Sequence, residues 1–122
     1  MPLWSERENL KYYPVFWDIT GKKCVVVGGG EVAARKVLRL LDCGARVCVV
    51  SPQIVQELAA IKKEGRIEHI GNEYAGEYLC GAFLVIGATD NEQTNAAISQ
   101  DAKTKGIPVN IVDDPQKCDF IL

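Results

Sequence analysis

Residues 24–27, Cys-Val-Val-Val, contain no polar position, as expected of a strand buried on both faces. Residues 46–50, 66–70, 82–86 and 109–112 read as four further strands, with 120–122 a candidate sixth. Between them the apolar positions adopt helical spacing. Over 32–43 the stripe is Ala33, Val37, Leu40 and Leu41, with Arg35, Arg39 and Asp42 turned away and Gly44 as the stop. Over 54–63 it is Ile54, Leu58 and Ile61, followed by Gly65. Residues 91–105 form the third helix, opened by a Thr89-x-x-Glu92 capping box and stopped by Gly106. Residues 74–81 are a short helical or irregular crossover, and 15–19 an extended segment ended by a turn at Gly21. Residues 1–11 read as a loose or partner-docked tail.

Strands that alternate with helices and are buried on both faces imply a parallel sheet with right-handed crossovers. The expected fold class is therefore α/β, a doubly wound parallel sheet in a single domain over 1–122. At 122 residues the chain can bury a sizeable core without staples. A net charge of -2 gives no electrostatic reason to expect nucleic acid or an anionic membrane as partner. No apolar run approaches the roughly 20 residues that cross a bilayer, and the charged opening MPLWSERENLKYY lacks a secretory signal's apolar stretch. The five cysteines include no C-x-x-C pair and mostly sit in apolar patterns. They read as reduced thiols of a cytoplasmic protein, with no metal site.

Where the first strand ends, Gly28-Gly29-Gly30-Glu31-Val32-Ala33 satisfies G-x-G-x-x-A. In this motif Gly28 makes the tight turn and Gly30 lets backbone approach a pyrophosphate. Ala33 is small enough for close packing of helix on sheet. The helix N-terminus offers N–H groups and partial positive charge to phosphates. Because the fingerprint follows a buried strand and opens a helix, it points to a Rossmann-like dinucleotide site rather than a structural turn alone. The acid expected about 20 residues later to bind a ribose is missing. That place holds Val-Val-Ser-Pro-Gln, so Ser51 and its neighbours would take over the role. No arginine follows to bind a 2′-phosphate, which favours NAD over NADP.

In an open parallel sheet the ligand lies along the carboxyl ends of the strands. Those ends bring together Gly28 to Glu31, Ser51 to Gln53, Ala88 to Asp90, and Asp113-Asp114. Thr89 and Asp90 are thus candidate cofactor contacts, although Asp90 also suits a helix start and Asn95 could face either cofactor or solvent. Asp113 and Asp114 sit where the nicotinamide end would point, but Asp-Asp-Pro also suits a plain turn. His69, the single histidine, reads as a surface or packing residue, which disfavours Ser-His-Asp and zinc chemistry. Hydride transfer remains, since its demanding chemistry belongs to the cofactor.

Three stretches, YYPVFWDITGKKCVVVGGGEVAARKV, GATDNEQTN and IPVNIVDDPQKCDFI, closely resemble the precorrin-2 dehydrogenase family, the nucleotide-binding part of siroheme synthases. The likeness runs from about Tyr12 to the last residue. It implies oxidation of precorrin-2, a tetrapyrrole, to sirohydrochlorin with NAD as hydride acceptor, and metal chelation in bifunctional members. Family NAD contacts fall on Glu31, Val32, Pro52 and Gln53, and the key aspartate on Asp113, as acid–base group. Family chains continue past the position of Leu122 into a helical dimerisation module, so the resemblance implies a fragment whose parent is a homodimer. Two rivals are a non-catalytic module sensing NAD or a tetrapyrrole, and a dehydrogenase for another small substrate. The second is disfavoured because no histidine or lysine lies on the functional edge.

Overall fold

Lys23–Val27 (β1), Arg46–Val50 (β2), Ile67–Ile70 (β3), Leu84–Gly87 (β4) and Val109–Ile111 (β5) form one sheet in the order β3-β2-β1-β4-β5. A computed structural model describes residues 12–122. The tail expected at 1–11 lies outside the described residues. Every pairing is parallel, with Val25 opposite Cys48 and Val85, and Val49 opposite His69. The chain winds outwards from β1 to β3, then crosses back to β4, so it changes direction between β1 and β4. This is the Rossmann-like topology, and ligands bind at such a switch point.

Alternation along the strands divides the core in two. Cys24, Val26, Val47, Val49 and Ile86 face the helices Glu31–Asp42 (α1) and Gln56–Lys63 (α2), packing on Ala33, Val37, Leu58 and Ile61. Val25, Val27, Val50, Val85 and Ile111 face the helix Glu92–Lys105 (α3), packing on Ile98, Ala102 and Leu79 of the short 3₁₀ turn Gly76–Leu79. Each buried Val or Ile side chain contributes roughly 1.5–3 kcal/mol. Apolar residues on both faces of every central strand are therefore what hold the sheet between its helical layers.

The structure departs from the sequence expectations in places where side chains or turns take over backbone bonding. Residues 120–122 form no strand. The segment alongside β5 is instead tied by single bonds: Asp119 N–H donates to the Val109 carbonyl (2.7 Å). The Asp119 carboxylate accepts from Val109 N–H (3.2 Å), and the Asn110 amide donates to the Phe120 carbonyl (3.0 Å). α2 begins at Gln56 rather than at 54, because Val55 N–H donates to the Gly29 carbonyl (2.8 Å) and holds this stretch against the glycine loop. The capping box at Thr89 does not form. Asn91 is the cap, its carboxamide oxygen accepting from Thr94 N–H at 2.9 Å. Residues 15–19 lie outside the sheet as irregular chain. Trp17 there packs edge-on against Phe83 (5.3 Å between ring centres) and tilted against Phe120 (5.9 Å).

Candidate functional site

At the carboxyl ends of β1, β2 and β4 lies an open cleft of about 770 Å³. Its floor is the glycine loop. Gly28 has φ +133, a region that L side chains rarely adopt, and a Cβ there would strike the Ala88 carbonyl. Gly29 packs against the turn after β2, where a Cβ would strike the Gln53 carbonyl and lie 2.6 Å from Ser51 Oγ. Gly30 differs from both, because a Cβ there meets nothing within 4 Å. Gly30 is also the N-cap of α1 and supplies no side chain to the helix's first N–H groups. A bare backbone donor set with space in front of it suits an anion such as a pyrophosphate.

The other walls are Ser51, Pro52 and Gln53 after β2, and Thr89, Asp90 and Asn91 after β4. Glu31 and Val32 line the α1 side. Ala33 does not line the cleft but is fully buried beneath it, where its small size lets α1 sit close to the sheet. The Ser51 hydroxyl donates to the Gln53 carbonyl at 2.6 Å, leaving its lone pairs to accept from a ligand. The Thr89 hydroxyl donates to the Asn95 side-chain oxygen (2.7 Å), and the Asn95 amide donates back to the Thr89 carbonyl (3.0 Å). Asn95 thus braces the β4–α3 loop. Asp90 is exposed and immediately precedes the cap residue.

Glu73 and Tyr74 also line the cleft, although no motif marks them. The Tyr74 hydroxyl donates to the Asp101 carboxylate of α3 at 2.7 Å. Burial, and then this bond, push the phenol well above its usual range. Only the way the segment after β3 folds back on α3 brings Tyr74 here, so no local pattern could have revealed it.

Asp113 and Asp114 separate in role. Asp114 is paired with Lys117 at 2.7 Å. Asp113 is exposed, and its carboxylate has no hydrogen-bond partner among the described residues. It adopts φ 63 in the turn closed by Asp114 N–H on the Ile111 carbonyl (3.1 Å), a left-handed conformation that Asp tolerates better than most residues. Asp113 lies at the carboxyl end of β5, outside the residues that line the glycine cleft. His69 is off the cleft as well, its ring between Lys62 and the Ser51 carbonyl. Among the described residues no cluster of His, Cys, Asp and Glu could hold a metal ion. All five cysteines are free thiols, and no helix there is long and apolar enough to cross a membrane.

Comparison with known proteins agrees with this geometry. The siroheme synthase of Methylobacillus flagellatus is 47% identical over 109 residues, covering 89% of this chain and 23% of its own length. Siroheme synthase 1 of Aeromonas salmonicida is 44% identical over 113 residues, covering 93% of this chain and 24% of its own length. The chain thus spans about a quarter of the length of these curated relatives. Among solved structures, SirC, a precorrin-2 dehydrogenase, superposes with a TM-score of 0.76 at 27% identity, covering 84% of this chain and 50% of that one. The model of a family described as "Putative NAD(P)-binding" matches residues 15–122. With the glycine loop, the bare helix N-terminus and the switch-point cleft all inside that span, the chain belongs to this NAD(P)-binding family.

Proposed function

We propose that this chain is the NAD-binding domain of a precorrin-2 dehydrogenase, an oxidoreductase of siroheme biosynthesis. The observation that carries the reading is the glycine-capped N-terminus of α1 opening on the cleft, with free space beside Gly30. The names of the relatives supply the substrate. Among the described residues no arginine or lysine lines the cleft, which favours NAD over NADP. A homodimer, with a helical module beyond this domain helping to enclose the tetrapyrrole, completes the proposal, and the free thiols suit a cytoplasmic setting.

When bound, NAD supplies the acceptor for the hydride that leaves precorrin-2. The chain's own residues do the rest. Glu31 and Val32 present main-chain N–H groups to the pyrophosphate, and Gly30 leaves room for it. Ser51, Pro52 and Gln53 carry the adenosine ribose, with Thr89 and Asp90 on the opposite wall. Asp113, paired with no cation among the described residues, takes the proton that leaves the macrocycle along with the hydride. A carboxylate so used contributes typically 10²- to 10⁴-fold.

The test is anaerobic turnover of precorrin-2 with NAD by the protein that carries this domain, comparing wild type with Asp113→Ala. Sirohydrochlorin formation falls at least about 10²-fold in the variant, with NAD affinity unchanged. Unchanged turnover removes Asp113 from this role. Tight NAD binding without turnover in the wild type would favour the sensing module instead.

A further inference from the structure

We propose that His69 is a positioning residue for the adenosine half of the dinucleotide, acting through the turn Ser51-Pro52-Gln53. The inference rests on the dinucleotide reading of the cleft and extends it to a residue outside the lining. His69 lies on β3, half-buried, on the sheet face that carries α2. Its Nε2 is 2.8 Å from the Ser51 carbonyl oxygen, and its Nδ1 is 3.0 Å from the Lys62 ammonium. An ammonium can only donate and a carbonyl can only accept. Nδ1 must therefore accept and Nε2–H must donate, which selects one neutral tautomer and fixes the ring.

The anchored carbonyl belongs to a turn with little freedom. Ser51 N–H donates to the Ile70 carbonyl (3.0 Å), so β3 holds Ser51 through main chain and through His69 together. On its inner side the turn meets the glycine loop, through Val55 N–H on the Gly29 carbonyl and the close approach of Gln53 to Gly29. Displacing Ser51 would move both the ribose wall and the phosphate floor. The position also explains how the site works without a ribose-binding acid at the end of β2. One hydroxyl and the main chain must do that task, so their placement sets the affinity. His69 and Lys62 supply the placement.

The experiment titrates NAD, ADP-ribose and nicotinamide mononucleotide into wild type, His69→Leu, His69→Gln and Lys62→Met, with thermal melts alongside. His69→Leu raises Kd for NAD and ADP-ribose about threefold to tenfold, as expected for one lost hydrogen bond. It leaves nicotinamide mononucleotide affinity unchanged. His69→Gln, whose amide can present an N–H where Nε2–H lies, recovers most of the loss. Lys62→Met, at an exposed helix position that tolerates replacement, raises Kd for ADP-ribose about twofold, and carries the test should His69→Leu fail to fold. Equal ADP-ribose affinity in wild type and these variants overturns the inference while leaving the cleft reading intact. So does a parallel loss of nicotinamide mononucleotide affinity or a failure of glutamine to rescue. A wild type that binds neither NAD nor ADP-ribose overturns the cleft reading and this inference with it.

Discussion

Gly28, Gly29 and Gly30 are adjacent in sequence yet answer to three constraints: a strained turn, a packed neighbour and open space. Substitution separates them. Gly28→Ala combines positive φ with a clash on the Ala88 carbonyl, and destabilises by at least about 2 kcal/mol. Gly30→Ala has ordinary φ and a free Cβ direction, so chemical denaturation shows a loss below about 1 kcal/mol. On the proposed function NAD affinity nevertheless falls at least about tenfold, because the methyl would stand in the open space that the proposal gives to the pyrophosphate. Equal stability losses in the two variants would remove this distinction. The fingerprint made Gly28 and Gly30 legible in the sequence. Gly29 filled a variable position there, since the group that constrains it, the Gln53 carbonyl, arrives from the turn of another strand.

At the scale of elements, α1 and α3 were legible from their apolar spacing and glycine stops, but their exact starts were not. Thr89 fits a capping box in sequence, yet its hydroxyl is drawn to Asn95, and Asn91 caps α3 instead. Two side chains with similar capping ability compete here, and a contact one turn inside the helix decides the outcome. The crossover after β3 is held to α3 by Tyr74 on Asp101. Tyr74→Phe therefore costs about 1 kcal/mol at neutral pH, measured by urea unfolding. The pH dependence has a definite sign. The folded phenol holds its proton more tightly than the unfolded one, mainly through burial and then through the bond to Asp101. Its contribution is complete below the unfolded value of about 10 and is lost as pH rises above that. The variant's stability thus declines less steeply between pH 9 and 11 than that of the wild type.

Across the whole molecule, the sheet could be read because β1, β2 and β4 are buried on both faces and carry almost no polar residue. The same burial governs the thiols. Desolvation lifts Cys24 to about 11 and raises Cys48, whereas Cys43 and Cys80 are exposed. A thiol reagent at pH 8 should modify Cys43 and Cys80 within minutes and reach Cys24 and Cys48 only on unfolding; fast labelling of Cys24 would contradict the packing of β1. The tetrapyrrole side of the reading was legible only through the family likeness. No spacing of residues in this chain encodes a macrocycle, and Asp113 owes its candidacy to its place after β5 and, for its acid–base role, to the family likeness.

The bonds along β5 make the two rims of the sheet unequal. Asp119 occupies the outward N–H and carbonyl of Val109 and the Cys118 thiol those of Ile111 on one rim, while β3, at the other, is four residues long with Glu68, and Arg66 just before it, exposed. A foreign peptide seeking to extend the sheet would find the β5 flank already blocked and the β3 flank too short and charged to template it. This geometry protects a chain rich in valine from fibrillar self-association.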